Sequence, residues 1–412
     1  MAPLTIMTAI AGIQAIGAAL TFATILLLTA LLGPELYGRY AWVISAGGLA
    51  SILLKRGYQT TLVTDFAPLD LDADRRPAPV ANTYALYICG TLVAFAIAIF
   101  AGPAVATLAR PELLWVAPIG AAVSAQTIAD GILRAADRGT RSQFVTQILR
   151  TAFLLAGFGL LAVSGSRSVA AFLAVYALAS LVAALVYVLP LLPEALRNRF
   201  RGGLVRGNAA HFQVAVSRSI GAHLPVFVTG FFVEMDQLAY LAIALRFSNP
   251  ISFGVIASRA FYGAKINRHV RSGALRLAQE DFRMAARFSF AVALLAAVGV
   301  LVLIYGLSLL QMGPLAGFED KGLLFLTLCL VSLHQLGLSA FGPVQLTAIQ
   351  LGTERYVRNL NLAMIAALAV GLVLAGLSGK VWISAVVLVG YGFGISFGLA
   401  ARTRAEFRRQ LG

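Results

Sequence analysis

The stretch LTIMTAIAGIQAIGAALTFATILLLTALL, residues 4–32, decides the kind of fold. The first 34 residues contain no charged side chain. Roughly 20 apolar residues in an α-helix cross the hydrocarbon core of a bilayer, whereas the apolar core of a signal peptide has only about 7–15 residues. The stretch therefore predicts a retained membrane-spanning helix.

The remainder of the chain continues this pattern. Of 412 residues, 59% are apolar and 12% are charged, whereas soluble domains carry about 25% charged residues. A soluble globular protein is thereby excluded. Apolar windows predict an all-α polytopic membrane protein with twelve spans, at residues 4–32, 40–64, 81–102, 113–136, 144–163, 169–191, 209–232, 238–258, 288–312, 322–347, 359–377 and 381–401.

The positive charges predict the orientation of these spans. The net charge is +15, and 25 of the 32 Lys and Arg residues fall in alternate loops, their flanking turns and the C-terminal tail. Because basic residues are retained on the cytoplasmic side, we expect both termini in the cytoplasm and the protein in the cell (inner) membrane. The orientation of the spans then explains the excess positive charge, and no nucleic acid is expected as a partner.

The spacing of the spans divides the chain into two halves. We expect a six-helix lobe at 1–191, a basic cytoplasmic linker at 192–208 and a second six-helix lobe at 209–412. Because six is even, the two lobes would be parallel repeats.

The sequence offers little for catalysis or metal binding. Cys89 and Cys329 lie in apolar runs, and the four histidines lack ligand spacing. We expect no catalytic residue, no metal site and no cofactor. The predicted outer loops are short, so the function is expected within the membrane.

Asp130 is the acidic residue predicted to lie within a span. It precedes Arg134 by four residues, which favours an ion pair on one helix face. A role in proton coupling is the alternative.

Arg218 and Arg246 are the strongest candidates for substrate binding. Counting along the helices places them about 14 and 12 Å deep. An arginine at such a depth costs about 2.5–3.5 kcal/mol and needs a negative partner. No acid of the second half lies at that depth, so an anionic ligand such as a diphosphate is one partner. The alternative is a bond to backbone carbonyls, or to Asp130 or Glu234.

Other polar residues could line the same cavity. Within the spans these are Gln14, His223, Asn249 and His334, although a single histidine in a span more often donates an interhelical hydrogen bond. Near the predicted inner ends of spans, the candidates are Lys55, Arg56 and Arg150. The ordinary explanation for a basic residue at such a position is that its side chain extends to the membrane interface. Residues 259–287 carry seven basic residues with amphipathic spacing and are expected to contact anionic lipids of the inner leaflet.

Two segments carry a resemblance to a known family. They are TILLLTALLGPELYGRYAWVISAGGLASILLKRGYQTTLVTDFA at 24–67, with its turn at Gly33–Tyr40, and FSNPISFGVIASRAFYGAKINR at 247–268. With the twelve spans and short outer loops, they resemble the polysaccharide (O-antigen, Wzx-type) flippases of the multidrug/oligosaccharidyl-lipid/polysaccharide exporter (MOP) superfamily. The resemblance implies a MATE-like fold and the flipping of an undecaprenyl-diphosphate-linked oligosaccharide by alternating access. It also implies a cationic central cavity and a polysaccharide polymerase or export machinery as partner.

Two other functions remain open. A cation-coupled drug or small-molecule exporter of the same superfamily would need an acidic core, but the first span carries no charge. A membrane glycan polymerase or glycosyltransferase would need a large outer loop, and the predicted outer loops have about ten residues or fewer by the same span boundaries.

The topology can be tested by cysteine labelling in a variant whose two native cysteines are replaced by serine. Cysteines introduced at Arg199, Ala274 and Arg408 should resist a membrane-impermeant thiol reagent added to intact cells. Cysteines at Arg167 and Lys380 should react. The reverse pattern would show that the termini face outward.

Overall fold

In the computed structural model, regular structure is entirely helical over the described residues, which are 3–66, 69, 78–105, 111–136, 138–186, 189, 203–205, 209–309 and 317–411. The helices up to the middle of the chain are α1 (Pro3–Lys55), α2 (Tyr58–Asp65), α3 (Ala78–Val105), α4 (Val116–Ala135), α5 (Gly139–Gln143), α6 (Arg150–Val163), α7 (Val169–Leu185) and α8 (Ala209–Thr229). Those after it are α9 (Met235–Phe247), α10 (Phe253–Arg271), α11 (Leu275–Leu309), α12 (Lys321–Ser339), α13 (Val344–Gln350), α14 (Glu354–Leu377) and α15 (Val381–Leu411).

Each of the twelve predicted spans overlaps a helix of the described residues. Among the described residues, nine helical segments are long and apolar enough to cross a membrane. The first of these, Gly12–Lys55, overlaps the first two predicted spans, and the shorter apolar helices Val169–Leu185 and Ile220–Thr229 overlap the sixth and seventh. The protein is therefore a multi-pass membrane protein, as predicted.

The first two spans meet at a single residue. Gly33 has φ 68° and ψ 175°, outside the helical region. A glycine tolerates this conformation, and Pro34 has no N–H to continue the helical hydrogen bonds. The sequence predicts a turn over Gly33–Tyr40, but the helix resumes directly after Gly33 and only this residue forms the break.

The described chain forms two compact units. Unit 1 comprises residues 1–32 and 39–227, and unit 2 comprises 33–38 and 228–412. The boundary near Phe227 lies inside α8. Of the predicted linker 192–208, only residues 203–205 are described, so the linker stays a prediction.

Unit 1 has a buried core among α2, α3, α4 and α7. Leu62, Tyr84 and Ile128 are fully buried there, and the Tyr84 hydroxyl donates to the Ala184 carbonyl at 2.8 Å. The amide of Val205 donates to the Thr83 hydroxyl at 2.9 Å, which joins residues 203–205 to α3.

Unit 2 is centred on α12 and α15. The amide of Asp320, at the start of α12, donates to the Tyr240 hydroxyl of α9 at 3.3 Å, and the Thr229 and Ser384 hydroxyls are 3.1 Å apart. Between α9 and α10 lies the 3₁₀ turn Asn249–Ser252, and the helix is interrupted there because Pro250 has no N–H to continue the helical hydrogen bonds.

Residues 259–287 form no separate surface helix. They continue α10 and begin α11, with a turn between Arg271 and Leu275. The predicted helical spacing is present, but it belongs to the extended ends of two neighbouring spans. His269 and Asp281, 3.5 Å apart, connect the two helices.

The segment 33–38 is held in unit 2 by a close approach of backbones. A Cβ atom at Gly38 would lie 1.7 Å from the Met235 carbonyl oxygen. Only a residue without a side chain fits here unless α9 moves.

We therefore expect Gly38→Ala to lower the free energy of unfolding by about 3 kcal/mol or more, as overpacking against backbone does. Gly90→Ala is the control, because no atom lies within 4 Å of the added Cβ on α3. Thermal unfolding of the purified protein in detergent measures both. Equal melting temperatures for the two variants would contradict the close approach.

Candidate functional site

Arg150 lies near the middle of the helical segment Gly139–Val163, which is long and apolar enough to cross a membrane. The apolar windows predict a span at residues 144–163, which places Arg150 near its inner end. The helical segment begins earlier and covers Gly139–Val163. Arg150 is then about 16 Å from Gly139 along the helix axis.

The contacts that the described residues make with Arg150 are aromatic. Its guanidinium carbon lies 4.8 Å from the centroid of the Tyr176 ring. Tyr176 meets the Tyr40 ring edge to face, with centroids 6.4 Å apart. The Arg150 Nε atom is buried and has no hydrogen-bond partner among the described residues. Within that part of the chain Arg150 also forms no ion pair.

A π-helix precedes Arg150. It comprises Phe144–Leu149, between α5 and α6. Such turns are rare and occur frequently at functional sites, because they displace the following side chains around the helix. The residues of this segment give no local signal for it, and sequence reasoning missed both the turn and the partner ring of Tyr176.

Asp130 is fully engaged by neighbours in unit 1. Its carboxylate accepts hydrogen bonds from the Gln59 amide of α2 and the Ser142 hydroxyl of α5. The predicted pairing with Arg134 is present, at 2.9 Å. Asp130 is 6% exposed. This carboxylate therefore joins α2, α4 and α5 and has little capacity left for a mobile cation.

Arg246 lies in the last turn of α9, directly before the break at Asn249–Ser252. It is half-buried and interacts electrostatically with Tyr37, whose side chain is 3% exposed. It forms no ion pair with a described residue of unit 2, so the alternative of a bond to Glu234 is not realised for Arg246. Asn249 is exposed in the same break.

Arg218 lies on α8, but its side chain is outside the described residues. Its proposed role stays a prediction. Gln14 on α1 is half-buried, as is Lys55 at the end of α1. Arg56 is exposed and has φ 41° in the bend between α1 and α2.

His334 and His223, the two histidines proposed to line a cavity, have different surroundings. His334 is 2% exposed, and its Nδ1 lies 2.7 Å from the Leu388 carbonyl, so it bonds α12 to α15. This is the interhelical hydrogen bond that the sequence analysis weighed against a ligand role. The His223 ring lies against Gly48, in the space that a side chain there would occupy.

No protein-family model and no curated protein matches the sequence. Solved structures match over nearly the whole chain. The structure described as lipid II flippase MurJ in an inward closed conformation gives a TM-score of 0.70 at 12% identity, and covers 97% of this chain and 89% of that one. An inward-facing multidrug resistance MATE family transporter of the MOP superfamily gives 0.62 at 13% identity, covering 96% and 94%. A MATE structure in the straight conformation gives 0.52 at 13% identity, covering 98% and 97%. The predicted MATE-like fold is thus confirmed.

Asp130→Asn tests whether this carboxylate is structural. Removing its charge should lower the free energy of unfolding by about 1–3 kcal/mol, since two hydrogen bonds and an ion pair lose strength. Binding of undecaprenyl diphosphate should persist. Ser142→Ala should act in the same direction on stability. Loss of binding at an unchanged melting temperature would show instead that Asp130 belongs to the substrate site.

Proposed function

We propose that this protein is a flippase that moves an undecaprenyl-diphosphate-linked oligosaccharide from the inner to the outer leaflet. The observation that carries the proposal is Arg150, a mid-span arginine with no carboxylate partner among the described residues. The MurJ-like fold supports it, because the neighbour with a TM-score of 0.70 is itself a lipid flippase.

The chemistry of the substrate follows from the guanidinium. Arginine remains charged at any physiological pH and presents a planar set of donors that matches two phosphate oxygens. Tyr176 lies against one face of the group, and the proposed contact with phosphate is made by its N–H edge. The Nε atom, without a hydrogen-bond partner among the described residues, is one donor of that edge. A diphosphate would supply the missing charge.

Arg246 and Arg218 are proposed to contribute further positive charge during the cycle. Each belongs to a helix that ends near a break in the chain, at Asn249–Ser252 for Arg246 and after Thr229 for Arg218. Alternating access would expose these charges first to one leaflet and then to the other. We also propose the cell inner membrane as location, with cytoplasmic termini, and polysaccharide biosynthesis as the process served.

A cation-coupled drug exporter is the second candidate, since MATE transporters share the fold. Such a protein would need a buried acid that is free to bind a cation. Among the described residues the buried acids are Asp130, Asp281 and Glu406, and each is already paired with a basic side chain. This observation favours the anionic substrate.

The proposal is tested by glycan export in cells that lack their own flippase. Arg150→Ala should reduce export by about tenfold or more, the usual effect of losing a charge-assisted hydrogen bond. Arg150→Lys should restore only part of it, because an ammonium keeps the charge and loses the planar fork. Tyr176→Phe should export normally, and Tyr176→Leu should export less because the ring is gone.

Arg167→Ala is the matched control, since it removes an equal charge from an exposed turn. It should export normally. Melting temperatures of the purified variants separate function from folding. Normal export by Arg150→Ala would overturn the proposed site, and so would an inactive variant that is also strongly destabilised, because Arg150 would then be structural.

A further inference from the structure

A cationic cavity lies within unit 2. It has a volume of about 470 Å³ and opens among the start of α11, the turn after α12 and the end of α15. Its charged lining is Arg283, Arg287 and Arg404. Its apolar lining includes Phe290 and Phe341. None of these residues belongs to the proposed transport site.

The cavity is formed by one face of α11 and by the turn after α12, which two contacts hold against this helix. Arg283, Arg287 and Phe290 recur at intervals of three and four residues, so they share one face of α11. The Ser289 hydroxyl donates to the Ser339 carbonyl at 3.0 Å. A Cβ at Gly342, where φ is +59°, would lie 3.0 Å from the Ala285 carbonyl oxygen. The turn after α12 is therefore fixed directly on the backbone of α11.

The three arginines are available to a ligand. All three are exposed, and none forms an ion pair with a carboxylate in the described part of the chain. Arg404 is held over the Phe341 ring at 5.4 Å. Two nearby acids are engaged elsewhere, Glu406 by Arg402 and Arg409, and Asp281 by His269. A third, Glu280, is exposed and forms no ion pair with a described residue.

An apolar path leaves the cavity along α11. Phe290, Leu294 and Val298 are 43%, 45% and 53% exposed and follow one another at intervals of about one turn. They extend for about 12 Å along the helix axis. In a bilayer this face meets acyl chains. The predicted orientation places the cavity at the cytoplasmic leaflet, where anionic lipids concentrate.

We propose that this cavity binds an anionic glycerophospholipid of the inner leaflet, with its phosphate among Arg283, Arg287 and Arg404 and an acyl chain along Phe290, Leu294 and Val298. The bound lipid would bridge α11, α15 and the turn after α12, and so stabilise unit 2. This site is separate from the proposed flippase site, so either proposal can fail without the other.

Native mass spectrometry of the purified full-length protein tests this site. Phosphatidylglycerol should be retained about tenfold better than phosphatidylcholine of the same acyl chains, because three guanidinium groups favour the net negative headgroup. The triple variant R283Q/R287Q/R404Q should lose this preference. Phosphatidylglycerol should also raise the melting temperature of the unmodified protein, and not that of the variant.

The control variant is R271Q/R276Q/R408Q, which removes three exposed arginines that do not line the cavity. It should keep the preference. Equal loss in both variants would overturn the proposal, because binding would then reflect diffuse surface charge. Phe290→Ser should weaken phosphatidylglycerol retention. If it does not, and inorganic phosphate displaces the lipid, the cavity is a site for free anions and the lipid proposal is wrong.

Discussion

The proposed function depends on a guanidinium halfway along a helical segment that is long and apolar enough to cross a membrane, with no carboxylate partner in the described part of the chain. On insertion scales the charge costs about 2.5–3.5 kcal/mol, and a ring such as that of Tyr176 returns only about 0.5–2 kcal/mol. The part of this cost that the ring does not offset favours a position of the guanidinium beside water or beside a bound anion. The protein keeps Arg150 at this depth by starting its helix at Gly139, ahead of the apolar window.

The protein treats its two kinds of charge differently. The buried acids Asp130 and Glu406 each have several partners, which hold neighbouring segments together. Arg150 and Arg246 have aromatic neighbours instead. These acids thus serve stability, and the Nε atom of Arg150 keeps unused hydrogen-bonding capacity. The distribution suits the anionic substrate proposed above, because a free acid beside such a substrate would repel it.

The fold could be predicted from the sequence because a helix is the structure that satisfies backbone groups within a membrane, and apolar windows therefore locate helices well. The breaks at Gly33 and Asn249-Pro250 were also visible, since glycine and proline act locally. The depth of Arg150 was not, because the helix begins in the polar residues Gly139–Gln143, which no apolar window includes. The partners of Asp130 were hidden as well, since Gln59 lies on a different helix.

The proposed function requires positive charge within the spans to recognise a diphosphate rather than a hydrocarbon chain. Native mass spectrometry with undecaprenyl diphosphate and undecaprenol, which share the same chain, distinguishes these two modes of binding. We expect the unmodified protein to retain undecaprenyl diphosphate and not undecaprenol, and Arg150→Ala to abolish the difference. Equal retention of the two lipids by the unmodified protein would show that the charge does not recognise the diphosphate.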